Sequence, residues 1–432
     1  MLYHIAQALR DCDIPGIGLF NYLSFRAMLA SVISMLISFL AGGRIIRWLQ
    51  KKQIGEEIRN LGLEGQMKKT GTPTMGGVFI ILSLVVTALL VCDLTNIYTQ
   101  LLLLTTLWCG AIGFTDDYIK VFKHNKEGMS EHSKLFLQIG LGFIIGLTVC
   151  FSDRIVVRED IETINDSSIV TESKKDLNVN SERLVTNGHH SEYVVKSTKT
   201  TIPFVKDHEF DYKSFSPFKG KWGWYCKWAV YVLMIVIVIT ACSNGTNLTD
   251  GLDGLSAGSS AIVGVVIGIL AWLGGNALNS EYLNIMYIPG SGEIAIFMAA
   301  FVGSLIGFLW YNSYPAQVFM GDTGSLTIGG IIGVSAILIR KELLLPILCG
   351  IFLVESLSVI IQRFYFKYTK RKYGQGRRVF KMAPLHHHFQ KVNIDAVIQT
   401  PAREIPEAKI VTRFWIVGLI LAVATLALLK IR

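Results

Sequence analysis

Two adjacent aspartates, Asp116 and Asp117, close an apolar run in the stretch GFTDDYIK. Like charges side by side at a membrane boundary repel each other and lose hydration. Such a pair is tolerated where it merely ends a helix in solvent, holds a divalent cation, or accepts a proton. A second stretch reads NGTNLTDGLDGL, in which Asn244, Asn247, Asp250 and Asp253 recur every three residues among three glycines. A helical or near-helical turn is expected to gather these amides and acids on one face, and the glycines let a bulky ligand approach the backbone. A third, YNSYPAQVFMGDTGS, contains Asn312, Phe319 and Asp322. Asp322 between glycines can point at a ligand or at Mg²⁺, which prefers a few carboxylates plus substrate phosphate oxygens. Phe319 offers a flat face for a base, or an anchor at the membrane interface.

Two further segments add cations and proton carriers. APLHHHF holds His386, His387 and His388. If locally extended, His386 and His388 would share a face. No Cys or second His cluster completes a tetrahedral zinc set, so phosphate contact or proton handling is the expected use. Lys68 and Lys69 precede TGTPTMGG, a flexible turn that no Gly-Lys-Ser/Thr closes and that is therefore not a Walker A loop.

The elements that must position these groups are membrane spans. Of 432 residues, 51% are apolar and only 17% charged, and the mean hydropathy is +0.46. Ordinary soluble domains carry about 25% charged residues, and a single soluble core seldom grows past roughly 250–300 residues. A soluble globule, a disordered chain and a disulfide framework are excluded. The seven cysteines form no CxxC pair, so buried free thiols are expected. The N-terminus lacks a basic region leading into a short apolar stretch, and no cleaved signal peptide is expected.

The pattern predicts an all-α integral membrane protein of about ten spans. They fall near 22–41, 76–92, 97–115, 135–152, 224–242, 255–274, 293–311, 324–340, 342–362 and 412–430, as one polytopic domain over 1–432. The odd connections hold most basic residues, including Lys120, Lys123 and Lys134 in the third and Lys370, Arg371 and Lys372 in the ninth, 363–411. Even connections near 93–97 and 275–292 hold none. The positive-inside rule then makes the odd connections cytoplasmic and both termini external. On the same reading the net charge of +9 marks cytoplasmic loops rather than a nucleic-acid surface. Residues 153–221, polar and nearly charge-balanced, form an external insert whose composition suggests a flexible or weakly folded segment.

All five polar clusters fall on odd connections, one face of the membrane. A transporter would place ionisable groups near the midplane. Here Glu355, inside the ninth span, is the main exception and a candidate structural or functional polar group. Acids, lysines and histidines gathered at one interface suit phosphoryl chemistry that joins a cytoplasmic anion to a lipid.

Taken together, GTPTMGG, GFTDDYIK, NGTNLTDGLDGL, YNSYPAQVFMGDTGSL, APLHHHF and the closing VTRFW resemble the phospho-N-acetylmuramoyl-pentapeptide transferase family, within the polyprenyl-phosphate N-acetylhexosamine-1-phosphate transferases. The resemblance covers nearly everything except 153–221 and about 391–406. It implies a bacterial inner-membrane enzyme that uses Mg²⁺ to transfer phospho-MurNAc-pentapeptide from UDP-MurNAc-pentapeptide onto undecaprenyl phosphate, giving lipid I and UMP. By analogy it also implies a homodimer. Carried onto matching positions, Asp116 deprotonates or orients the lipid phosphate with Asp117 beside it, and Asp322 holds Mg²⁺. Asn247, Asp250 and Asp253 arrange nucleotide and metal, and Asn312 and Phe319 contact the uridine. Lys69, Lys120 and Lys134 meet phosphates, and His386 and His387 contact the diphosphate or sugar. Gln390 stands where the family usually has Glu, which bears on donor recognition. The rival readings are a sister enzyme that transfers GlcNAc-1-phosphate and, in a different class, a transporter or flippase.

Overall fold

The computed structural model describes residues 1–9, 15–52, 71–123, 125, 127–160, 184–186, 190–205, 209–218 and 220–429. The helices are α1 (Leu2–Ala8), α2 (Leu23–Lys52), α3 (Gly77–Val91), α4 (Ile97–Phe122), α5 (Glu131–Phe151), α6 (Gly220–Thr249), α7 (Leu255–Gly274), α8 (Ala277–Leu283), α9 (Gly292–Asn312), α10 (Gly321–Leu338), α11 (Leu345–Leu348), α12 (Gly350–Tyr373), α13 (Leu385–Gln390) and α14 (Glu407–Ala427). Among the described residues, eight of these are long and apolar enough to cross a membrane. A ninth span results if the segment Glu342–Leu348 and α12, bent by 78° at Cys349, count as one. The second expected span is α3, shorter than the others at 15 residues. The protein is an all-α integral membrane protein, and its few strands lie outside the bundle.

The hub is α10. Every residue from Thr323 to Leu338 is buried. It packs against α4, α6, α3 and α7. Small residues make this possible, because close helix approach in lipid is driven by packing rather than by exclusion of water. The Gly113 Cα of α4 lies so close to α10 that an added Cβ would sit 2.2 Å from the Asp322 carbonyl oxygen, and one at Gly77 would sit 2.1 Å from the Gly324 nitrogen. Glycines of α10 itself do the same: an added Cβ at Gly329 would sit 2.3 Å from the Cys242 carbonyl oxygen and one at Gly330 2.6 Å from the Cys109 sulfur, so the glycines that dilute this span's hydropathy also seat it.

A buried ion pair joins α2 to α9. Arg26 donates from both terminal nitrogens to Glu293, at 2.6 and 2.7 Å, and also to the Val91 carbonyl. The Asp93 amide donates to Glu293 as well, at 2.8 Å. With hydrogen bonds on both partners the pair fits a buried site.

The described part of 153–221 contains short paired strands. Strands β1 (Val157–Asp160), β2 (Leu184–Thr186) and β3 (His190–Val195) form an antiparallel sheet in the order β1-β3-β2. Strands β4 (Lys199–Thr201) and β5 (Glu209–Asp211) form a hairpin. The hairpin docks where α10 ends: the Thr201 amide donates to the Arg340 carbonyl at 3.0 Å and the Thr200 hydroxyl to the same oxygen at 3.1 Å. Lys341 donates to the Thr201 hydroxyl, and the buried Tyr212 hydroxyl donates to Glu342 at 3.2 Å. Polar composition hid this docking, because the partners lie on another connection and not within the segment.

Glu293→Ala should strand the Arg26 guanidinium without a counter-charge and cost about 3–5 kcal/mol. Thermal unfolding of the purified protein in detergent checks this, and a melting temperature equal to wild type would exclude a structural role for the pair.

Candidate active site

The polar motifs sit on helix ends, not on loops. GFTDDYIK forms the last turns of α4, and NGTNLT the last turns of α6. Asp117 and Asp116 do different work. Asp117 caps the start of α10: its carboxylate accepts from the amides of Asp322 (3.1 Å) and Thr323 (2.8 Å) and from the Thr323 hydroxyl (2.6 Å). A helix N-terminus presents unpaired N–H groups and the positive end of the dipole, so a buried carboxylate is stable there. Gly321, at φ +72°, makes the turn into α10 beside it; a side chain there would be strained and would meet Asp117 at 2.6 Å.

Asp116 instead faces two ammonium groups and Asp322. Lys120, one turn on, lies 2.5 Å from Asp116 and 3.2 Å from Asp322. Lys134 from α5 lies 2.9 Å from Asp116 and 2.7 Å from Asp322. The Met129 amide also donates to Asp116, at 2.7 Å. Oxygens of Asp116, Asp117 and Asp322 all lie within 4.8 Å of one another. This donor set suits a hard divalent cation, which takes carboxylate oxygens. It is the single such group found among the described residues.

The fifth connection reaches this cluster only in part. Asn247 donates to Asp322 and to Ser325, both at 2.9 Å. Asn244 turns into the bundle, donating to Gln138 at 2.8 Å. Asp253 accepts from the Ala316 amide at 3.0 Å, while its own amide donates to Glu407 at 2.7 Å. The expected common face therefore does not form. A step of three residues drifts by about 60° around a helix, and α6 stops at Thr249. Asp250 stands in the turn that follows. Burial, together with the charges of Asp322, Asp117 and Asp253, pushes its carboxyl from 3.8 up to about 8.

The seventh connection is stitched to two neighbours. Phe319 exchanges backbone bonds with Pro73 and Gly76, each 2.8 Å, within the GTPTMGG segment. Asn312 is buried and its amide is used internally, accepting from Gly254 at 3.0 Å and donating to the Val318 carbonyl at 2.9 Å. Lys69 lies outside the described residues.

The three histidines form a short helix, α13, so they diverge instead of alternating. His388 accepts from the Lys381 amide at Nδ1 (3.0 Å), so its Nε2 donates to the Thr400 carbonyl (2.7 Å). Burial lowers its pKa, and both ring nitrogens are engaged inside the ninth connection. His387 pairs with Gln390 at 2.9 Å. His386 is fully buried and turns toward the fifth connection, where a Cβ on Gly251 would lie 2.2 Å from its Nε2. Residues that the motifs did not flag also shape the site: Thr323, the Met129 amide and Glu407. Glu407 alone left a signal, as an acid in the first turn of the last helix.

Comparison with known proteins decides what this cluster belongs to. A phospho-N-acetylmuramoyl-pentapeptide-transferase of Parabacteroides distasonis is 55% identical over 435 residues, spanning all of both chains. Relatives of the same name from Porphyromonas gingivalis and Flavobacterium psychrophilum are 53% and 51% identical, again over the whole of both chains. The chain belongs to the phospho-N-acetylmuramoyl-pentapeptide-transferase family. It is a multi-pass protein of the bacterial inner membrane and an enzyme. The signature 1 model of this family matches residues 69–81, the segment that pairs with Phe319, and the glycosyl transferase family 4 model matches 194–340. The insert that interrupts the expected spans is common to relatives that align along their full length, so it is part of this branch of the family and not an accident of one chain.

The raised carboxyl of Asp250 has a pH signature. Because its folded value exceeds its ordinary one, it stabilises the fold fully at pH below 3.8, and that contribution is lost as pH rises to about 8. In divalent-free buffer, Asp250→Asn should therefore flatten the fall of melting temperature between pH 5 and 8. Parallel wild-type and variant curves would remove Asp250 from the charged cluster.

Proposed function

We propose that the chain transfers phospho-MurNAc-pentapeptide from UDP-MurNAc-pentapeptide to undecaprenyl phosphate, giving lipid I and UMP, at the cytoplasmic face. The observation that carries this reading is the cluster of Asp116, Asp117 and Asp322 with Lys120 and Lys134 at the N-terminus of α10. Phosphoryl transfer asks for charge neutralisation and in-line placement more than for covalent chemistry. Both are what this end of the bundle can supply.

A bound divalent cation, Mg²⁺ in this proposal, neutralises charge on the diphosphate. Asp322 would hold it, with Asp116 and Asp117 alongside. Asn247, hydrogen-bonded to Asp322, keeps that carboxylate oriented. Lys120 and Lys134 would pass from the aspartates to the substrate phosphates, and Lys69 would add a third cation. Asp116 would orient the lipid phosphate and take its proton. In this proposal the lipid phosphate attacks directly, with Asp116 as its base and no aspartyl-phosphate formed. Phe319 would stack on the uracil, while Asn312, Asp250 and Asp253 shape the nucleotide side. His386 and His387 would contact the diphosphate or sugar.

Purified protein in detergent, given undecaprenyl phosphate and Mg²⁺, should release UMP with UDP-MurNAc-pentapeptide and not with UDP-GlcNAc. Release with UDP-GlcNAc alone would move the chain to the sister activity. Asp116→Asn should lower turnover by roughly 10²–10⁴-fold while the protein stays folded, and chelation of divalent cations should stop release until Mg²⁺ returns. Near-wild-type turnover by Asp116→Asn would remove that residue from its role.

A further inference from the structure

Glu355 is an acid well inside an expected span, and the catalytic cluster does not use it. It lies on α12, in the first turns after the 78° break, and it is fully buried. An isolated carboxylate at such a position is expensive. Its partner is His386. The His386 amide donates to both carboxylate oxygens, at 3.1 and 3.3 Å, and the ring Nδ1 lies 3.2 Å from Oε2. One carboxylate thus holds the His386 backbone by hydrogen bonds and sets its charge beside the ring, whose Nδ1 is in reach of it without a formed hydrogen bond.

On the far side of the ring the contact is equally close. A Cβ on Gly251 would come within 2.2 Å of Nε2 and 2.9 Å of Cε1. Nε2, like Nδ1, is buried and has no hydrogen-bond partner among the described residues. Gly251 stands between Asp250 and Asp253, on the turn assigned to the nucleotide side. The imidazole is therefore wedged between Glu355 and that turn, with Nδ1 toward the carboxylate and Nε2 toward the turn. An ionised carboxylate cannot donate a hydrogen bond, and its charge 3.2 Å from Nδ1 favours the tautomer with the proton on that nitrogen. Nε2 is then the nitrogen that can exchange a proton or a hydrogen bond with substrate.

We propose that Glu355 is a positioning residue that acts through His386, fixing the ring's orientation and which of its nitrogens carries the proton. This rests on the reading of the site as a phosphoglycosyl transferase site. Partners of this kind elsewhere typically matter by roughly 10- to 100-fold in affinity or activity.

The test is a double-mutant cycle on UMP release, with rates expressed per folded protein and folding followed by detergent melting. Glu355→Gln keeps an acceptor for the His386 amide but offers an NH₂ group to Nδ1, which reverses the ring's tautomer. It should lower kcat by roughly 10- to 100-fold while the KM for undecaprenyl phosphate holds. In a His386→Asn background the same change should cost almost nothing further, because the ring it acts on is gone. Were Glu355 only a packing residue, its loss would be the same in both backgrounds, and that additivity would overturn the proposal. If Glu355→Gln does not fold, Glu355→Asp, which keeps the charge and withdraws it by one carbon, takes its place in the cycle with the same two outcomes. An active wild type with an unaffected Glu355 variant overturns this inference alone. A folded wild type that releases no UMP overturns the functional reading and this inference together.

Discussion

The fold answers to one electrostatic constraint: three aspartates must share a small volume at the end of a buried helix. Bringing like charges together in low dielectric is unfavourable by several kcal/mol unless other groups offset it. The offsets come from every direction. The N–H groups and hydroxyl at the start of α10 absorb Asp117, two lysines from α4 and α5 bridge Asp116 and Asp322, and Asn247 on α6 donates to Asp322. Each of these requires its parent helix to end at the same level as α10. The bundle is arranged so that they do, and the glycines at 77, 113 and 321 allow the approach.

Because two cations are already paired with three aspartates, the cluster without substrate keeps an excess of negative charge and its pairs are easily exchanged. Lysine is a compact point charge on a flexible stem, and can turn from a carboxylate to a phosphate without moving the backbone. A bidentate arginine would be harder to release. Arginine appears instead where a fixed lock is wanted, as in the Arg26–Glu293 pair that ties α2 to α9. The same pairing of opposite charges therefore serves exchange at the site and permanence in the wall.

Much of this was legible in the sequence, because spans announce themselves by hydropathy and the acids announce themselves by their cost. The family resemblance rested on motifs, and the relatives that match along their full length show the family. What hydropathy could not show is where helices end. It measures the cost of burying side chains and not backbone geometry, so Asn247 and Asp116 read as connections although they lie on α6 and α4. For the same reason the ninth span read as continuous, while the chain breaks it at Cys349 and carries α12 on to Tyr373. The histidine triplet misled differently: a six-residue helix sends each ring to a separate partner, and those partners sit at Glu355, Gln390 and Lys381, which the triplet itself does not reveal.

The two ends of α10 solve opposite problems. At its start the peptide dipole invites anions, and the site is built there. At its finish the carbonyls need donors, and Arg340 turns the chain at φ 55°, with its carbonyl taken up by Thr200 and Thr201 of the insert. The helix is 18 residues long, so these ends are separated by about 27 Å, close to the thickness of a hydrocarbon core. The last carbonyls of α10, at Ser335, Ala336 and Ile337, take the amides of Ile339, Lys341 and Arg340, and the β4–β5 hairpin closes the turn that follows by donating to Arg340. A helix with lipid beside it could leave its last turn to water and headgroups. One enclosed by its neighbours cannot, and this is a physical reason for a polar segment that composition alone would call loose to be ordered where it touches Arg340, Lys341 and Glu342.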